Sequence, residues 1–316
     1  MLSWDLYPFC FTNPSFMKMK SNLNWQEFVI TRAIKACGYS AIIFAGLIFY
    51  FLLREGLPAL GEVNLSILFS ARWYPIEEYF GILPLITGSL IVTIGAAVVA
   101  IPFGIGTAVY IAEIAPRWMR EILKPLVELL GGLPSVVLGF LGILVLSPYL
   151  RRLLDLPTGL TALAGSLLLG GIAVPTVVSI AEDALDAVPQ SYREGALALG
   201  ATKWQTIWRV TLPAARSGVL TAVMLGIGRT IGETMTVMMV TGNAPVLALT
   251  PGSLFSPVRT MTATIAAEMG EVASGSTHYH VLFFIGMVLF LISLVVNIAA
   301  SSVVFRTKKR AERTLA

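Results

Sequence analysis

Two charged side chains stand where few are tolerated. In the run GIGRTIGETMTVMMVTGN, Arg229 lies near the middle of an apolar segment and Glu233 follows one helical turn later. A lone charge at such a depth costs about 2.5–3.5 kcal/mol on insertion scales. Residues four apart share a helix face, so the two can meet. At about 100° per residue, Gly218, Ala222, Gly226, Arg229, Gly232, Glu233 and Thr236 form one small, polar stripe, while Met224, Met235 and Met238 face away. Two chemistries fit. One is a neutralised pair at a helix–helix interface, with Gly228 and Gly232 permitting close approach. The other is a pathway for an anion: the guanidinium offers a fixed fork of donors suited to a tetrahedral oxyanion, and Glu233 holds that fork until the ion arrives, then repels it so that binding stays weak. A packing role needs no charge, which favours the pathway.

The elements that must carry these residues are membrane helices. Of 316 residues, 56% are hydrophobic and 13% charged, with a mean hydropathy of +0.80; soluble domains carry about a quarter charged residues. A span needs roughly 20 mostly apolar residues. Six segments qualify: Ala36 to Leu53, Ile82 to Ile111, Pro125 to Leu146, Leu160 to Ile180, Gly218 to Thr241 and Val281 to Phe305. Sixteen Lys and Arg fall in the N-terminal tail, the second and fourth loops and the C-terminal tail, five fall on the opposite side, and Arg229 is the remaining one. By the positive-inside rule both termini are cytoplasmic. The net charge of +4 is therefore a topology signal and not a nucleic-acid footprint. The expected layout is a tail over residues 1–35, a first helix and external loop over 36–81, a transmembrane domain over 82–305 with a cytoplasmic loop at 182–217, and a basic tail over 306–316. Met17 and Met19, followed at once by Lys20, offer an alternative start that would make residues 1–16 an extension.

Other chemistries lack their residues. Cys10 and Cys37 are too few for a disulfide framework or thiolate site, and His278 and His280 are too few for zinc or haem unless carboxylates join them. The closest approach to a phosphate-binding G-x-x-x-x-G-K-[ST] loop, Gly195 to Thr202, has Ala201 where the lysine is needed, so the chain has no such site for a nucleotide. No tandem or inverted repeat relates its halves, unlike many secondary transporters.

The fourth loop, AVPQSYREGALALGATKWQTIWRVTLPAARSG, is the most specific stretch. Ser191 precedes Glu194 by three and Thr202 precedes Gln205 by three, so each pair can form a capping box. Two short helices are expected, the first stopped by Gly200 in a left-handed cap and the second by Pro213. Trp204, Ile207 and Trp208 then make a narrow apolar stripe. It suits a groove on a partner protein or, alternatively, the headgroup layer. Weaker signals lie elsewhere. Lys124 and Glu128 can pair locally. Gly131, Gly132, Pro134 and Ser135 disturb the third span, as do Pro84, Pro102, Gly104 and Gly106 the second, in the manner of cavity-lining helices or of packing kinks. The outer loops (Glu62, Trp73, Tyr74, Glu77, Glu78, and Met261 to Met269 before Gly270) suit either a docking soluble donor or packing over the mouth.

Glu194, Gly195, Ala196, Gly200, nine residues, then Val210, Leu212 and Pro213 reproduce E-A-A-x3-G-x9-I-x-L-P with Gly195 and Val210 as small or β-branched departures. This resembles the EAA loop of ABC importer permeases. With REGLPAL (Arg54 to Leu60), ELLGGLPSVVLG (Glu128 to Gly139) and GRTIGETMTVMMVTGN (Gly228 to Asn243), the chain from about Ile30 onward is similar to the PstC permeases of phosphate importers. The Arg and Glu of the fifth span separate these from molybdate and sulfate permeases. The resemblance implies an all-α, six-span type I importer fold with both termini inside. It implies a substrate pathway with Arg229, Glu233, Thr236 and Ser135. It implies that Glu194, Gly195, Ala196, Gly200, Trp204, Leu212 and Pro213 couple to an ATPase. The implied partners are a PstA-like second permease, a PstB-like ATPase dimer that binds ATP and Mg, and a PstS-like external phosphate-binding protein, in membrane lipid and without nucleic acid; no cofactor belongs to this chain. The alternatives are another oxyanion in the same machinery, or a membrane scaffold or sensor that moves nothing.

Overall fold

The computed structural model describes residues 15–315; most of the candidate extension, residues 1–14, lies outside the described residues. The chain divides into two units, Met1–Phe51 and Leu52–Ala316. The first is described as most of one long helix, α1 (Ser15–Gly56). Ile42, Phe44, Ile48 and Tyr50 on it are all more than half exposed, as a helix apolar on every side is when it faces lipid.

Among its described residues the second unit is mostly helical, with a hairpin of two-residue strands, β1 (Trp73–Tyr74) against β2 (Tyr79–Phe80), Trp73 opposite Phe80, and an isolated bridge between Gly242 and Val258. Its long elements follow in order. α2 (Leu83–Val109) runs on into a π turn, Tyr110–Ile114. α3 (Arg117–Gly131) is followed by a break and then by α4 (Ser135–Leu141), a π turn at Gly142–Leu146 and α5 (Ser147–Leu153). After α6 (Ala162–Asp186) come α7 (Gln190–Ala198), α8 (Lys203–Thr206), a π turn (Ile207–Thr211) and α9 (Leu212–Ala214). The chain continues as α10 (Arg216–Gly232), α11 (Met235–Val240), α12 (Met261–Glu268) and α13 (Thr277–Leu315).

Among the described residues, five helices are long and apolar enough to cross a bilayer: Glu27–Glu62, Leu83–Ile114, Ser135–Leu153, Ala162–Asp186 and Thr277–Ala299. A bent pair, Lys203–Ala214 with Arg216–Gly232 at 73°, supplies the sixth. An even number keeps both ends on the base-rich, cytoplasmic side. The third span differs from expectation: it starts at Ser135 and not at Pro125. Helix α3 carries Arg117, Arg120, Glu121, Lys124 and Glu128, too many charges for the hydrocarbon, and Gly132 to Pro134 separate it from the span proper.

Helices α2 and α6 form the centre. Water cannot drive helices together within a bilayer, so close packing of small residues does. A Cβ on Gly104 would lie 2.6 Å from Val177 Cγ1, and one on Gly170 would lie 2.7 Å from Val99 Cβ. Gly226 of α10 packs on the same Val177, where an added Cβ would lie 2.5 Å from Cγ2. Ala108, Ile111, Val178, Ala181, Leu185 and Ala222 are buried around this seam.

The outer loops resolve toward packing at Trp73, which is 3% exposed and donates Nε1–H to Glu268 Oε1 at 3.1 Å. Glu268 also holds Arg259 at 2.7 Å and His278 at 2.8 Å. The stretch from Met261 is helix α12, with Met261, Ala263 and Thr264 buried. Tyr74, Glu77 and Glu78 remain exposed.

Candidate functional site: two broken helices around Arg229

The fifth span is not one helix. Gly226, Gly228 and Gly232 lower its helix propensity, α10 ends at Gly232, and Glu233 is extended at φ −71°, ψ 126°. Its carboxylate turns instead to the N-terminus of α11, where Oε1 accepts from Thr236 N–H at 3.5 Å. An acidic group there meets unpaired donors and the positive end of the helix dipole. The Glu233 carbonyl accepts from Thr262 Oγ1 at 3.2 Å.

The expected pair between Arg229 and Glu233 is therefore not formed. Four residues bring side chains together only along an unbroken helix, and this one breaks between them. Arg229 Nη1 donates to Thr176 Oγ1 at 2.9 Å and Nη2 to the Gly131 carbonyl at 3.2 Å. Both partners are uncharged. Thr176 follows Pro175 inside α6, and Gly131 is the last residue of α3, at the negative end of that helix's dipole. Among the described residues no carboxylate pairs with Arg229, so its charge is held but not cancelled.

The second break, Gly132 to Pro134, lies beside the first. Thr236 Oγ1 donates to the Ser135 carbonyl at 2.9 Å. Gly139, one turn further along α4, packs so closely that an added Cβ would sit 3.2 Å from Thr236 Cα. Of the expected pathway residues, Ser135, Glu233 and Thr236 form one cluster, and Arg229 reaches the same break through Gly131. Thr176 was not foreseen, and Gly131 was expected to disturb the third span but not to hold Arg229; a threonine after an intrahelical proline is the signal that could have found the first.

Below this site a charge cluster ties α3 to α6. Glu182, 1% exposed, accepts from Arg120 Nη2 at 2.8 Å and from Lys124 Nζ at 2.6 Å. Asp183 binds Lys124 at 2.9 Å, and Asp186 contacts Arg120. The local Lys124–Glu128 pair is thereby corrected: a buried carboxylate unable to reach water outcompetes one at the surface. Glu182, followed by Asp183, holds the Lys124 ammonium above its ordinary value of 10.5. Matching i,i+4 spacings, Arg120 with Lys124 and Glu182 with Asp186, are the sequence signal for this ladder.

In the cytoplasmic loop, Thr202 and Gln205 form the expected capping box at 3.2 and 2.9 Å, and Gly200 takes φ +83° just beyond α7. Ser191 and Glu194 do not form one. Pro189 starts α7 earlier, leaving Ser191 inside the helix and its N-terminus without a side-chain cap. Pro213 does not stop its helix on the spot either; the helix runs through Ala214 before the 73° bend. Trp204 and Trp208 are exposed and stack edge to face at 5.8 Å, whereas Ile207 is 2% exposed because the π turn rotates it inward. Glu194, Gly195, Gly200 and Pro213 are exposed, Ala196 and Leu212 half-buried.

Six candidate spans, two helix breaks joined by polar contacts and a loop with exposed aromatics on the base-rich side fit a permease subunit of an ABC importer, an integral component of the inner membrane. The chain belongs to the binding-protein-dependent transport system inner membrane component family, whose model matches residues 100–309. It is 41% identical over 265 residues to the probable ABC transporter permease protein YqgH of Bacillus subtilis, covering 82% of this chain and 85% of that one. It is 33% identical over 309 residues to the phosphate transport system permease protein PstC of Mesorhizobium japonicum, covering 90% and 93%. The fold is shared with a bacterial alginate ABC transporter (TM-score 0.59, 16% identity, 87% of this chain and 95% of that one) and with the MetNI methionine ABC transporter in an inward-facing form (0.57, 18%, 75% and 99%).

Proposed function

We propose that this permease carries inorganic phosphate inward by alternating access, driven by ATP hydrolysed on a separate subunit. The observation that carries this reading is Arg229: a guanidinium within a membrane span, bound among the described residues by a hydroxyl and a carbonyl, with donors to spare beside two helix breaks. Neutral partners hold it in place and leave its charge to an incoming oxyanion, which can displace the weaker carbonyl contact. A guanidinium matches a tetrahedral oxyanion two donors at a time. Glu233, turned aside onto α11, adds negative charge to the same neighbourhood and opposes overly tight binding. The name borne by the Mesorhizobium relative points to the same ion.

In this reading Ser135, Thr236, Glu233 and Arg229 line the path, and Glu194, Gly195, Ala196, Gly200, Trp204, Leu212 and Pro213 form the face presented to the ATPase. The chain holds no cofactor and hydrolyses no nucleotide; ATP and Mg sit on a PstB-like pair. A PstA-like permease completes the membrane domain and a PstS-like protein delivers the ion outside. The test is Arg229→Gln in the reconstituted importer. Phosphate uptake is expected to vanish while the subunits still co-purify. Normal uptake by that variant refutes the proposal, and equal uptake of sulfate by the wild type refutes the choice of phosphate.

A further inference from the structure

One side chain joins the cytoplasmic loop to two membrane helices. Arg193 on α7 donates from Nε and Nη2 to Glu113 Oε1, at 3.0 and 2.7 Å. Nη1 reaches the Val188 carbonyl at 2.6 Å and Nη2 the Leu185 carbonyl at 2.8 Å. Glu113 lies in the π turn that ends α2, while Leu185 and Val188 lie at and just beyond the C-terminal end of α6. The two side chains are 17% and 8% exposed, so water screens the pair little. A planar, always-charged fork can serve a carboxylate and two carbonyls at once; a lysine ammonium lacks that shape.

Much of the rest of α7 is turned outward. Glu194 and Gly195 are exposed, Leu197 is 50% exposed, and Leu199, just past the helix, is 90% exposed. Force applied to that outer face has a stiff route inward through Arg193. The route leads to α2 and α6, and α6 carries Thr176, which holds Arg229.

We infer that Arg193 is the positioning residue that makes α7 move as one body with α2 and α6, so that displacement of the loop by a partner ATPase reaches the Arg229 site without slack. The inference rests on the ATP-coupling reading above and names the residue through which coupling passes. A tie that served folding alone would affect assembly and leave the yield of transport per ATP unchanged.

The experiment uses the complete importer in proteoliposomes with phosphate-loaded binding protein outside. Arg193→Gln is expected to cut phosphate imported per ATP hydrolysed at least tenfold, with hydrolysis above half the wild-type rate. Glu113→Gln, which leaves the two carbonyl contacts, is expected to cut it several-fold. A wild-type ratio in Arg193→Gln overturns the inference, and so does failure of both variants to assemble, which marks a purely structural tie. A wild-type complex that hydrolyses ATP but moves no phosphate refutes the phosphate reading instead. Coupling is then read from spin labels at Ile114 and Leu199, both exposed, in a Cys10→Ser, Cys37→Ser background. The wild type should keep one narrow distance with and without ATP, and Arg193→Gln should broaden it; a distribution that stays narrow in the variant overturns the inference.

Discussion

Thr236 donates its hydroxyl proton to the Ser135 carbonyl oxygen at 2.9 Å, and this bond joins the breaks of two different spans. Ser135 opens α4, so its carbonyl takes this bond at the start of a helix, whereas the carbonyl that the break frees, that of Gly131 at the end of α3, accepts from Arg229 Nη2 at 3.2 Å.

Thr236→Val keeps the side-chain shape and removes the donor. The loss should cost about 1 kcal/mol of stability, seen as a modest drop in thermal unfolding temperature in detergent, and phosphate uptake should fall several-fold. Undiminished uptake would separate the breaks from the pathway.

Glu182→Gln removes the charge on which Arg120 and Lys124 converge. Breaking a buried pair from one side costs about 3–5 kcal/mol. Here both cations are about a third exposed and can fall back on Asp186 and Asp183, so about 1–3 kcal/mol is expected once solvent screening is counted. Thermal unfolding of the purified variant measures it.

The pH response of this cluster is set by Lys124. Its value is raised in the folded protein, so its contribution is fully present below 10.5 and disappears as pH climbs through the raised value. In the Lys124→Met variant the loss of stability relative to wild type should be constant from pH 6 to 9 and shrink only under strongly alkaline conditions. Unfolding temperatures of the two proteins across that range provide the check.

Gly200 sits at φ +83° with nothing within 4 Å of where a Cβ would stand. A β-branched residue there is opposed by backbone strain alone, about 1–2 kcal/mol, whereas asparagine tolerates this conformation. Gly200→Val should lower ATPase-coupled uptake and Gly200→Asn should retain most of it, measured in the same vesicles.

Trp204 is 59% exposed on the cytoplasmic side. Trp204→Ala should leave the unfolding temperature of the permease unchanged. If the tryptophan fills a groove on the ATPase, its loss should cost about 2 kcal/mol of binding, roughly a 30-fold weaker complex, visible as ATPase lost during co-purification.

Much of this was legible in the chain. Long apolar runs and the distribution of bases placed six spans and both termini, because the bilayer imposes length and charge rules that hold whatever the helices pack against. Gly200 and the Thr202–Gln205 box were readable because caps depend on neighbours only three residues away. Helix-face arguments failed where the helix itself ended. Arg229 and Glu233 share a stripe on an ideal rod, but the rod stops at Gly232. Ser191 could have capped α7 had Pro189 not begun the helix first. Lys124 had a partner four residues on and took a better one 58 residues away.

The sequence alone determined that this is a six-span membrane protein with an aromatic-bearing loop on its base-rich side and a charged residue within its fifth span, since each of these follows from composition or local spacing; the family came from its resemblance to importer permeases. Only the tertiary structure decided what that charge touches. Arg229 is bound by Thr176 and Gly131, which are 53 and 98 residues away, and Arg193 by Glu113, 80 away. Where a span breaks and which distant polar groups satisfy the freed backbone depend on the helices packed around it, and local spacing carries no record of those neighbours.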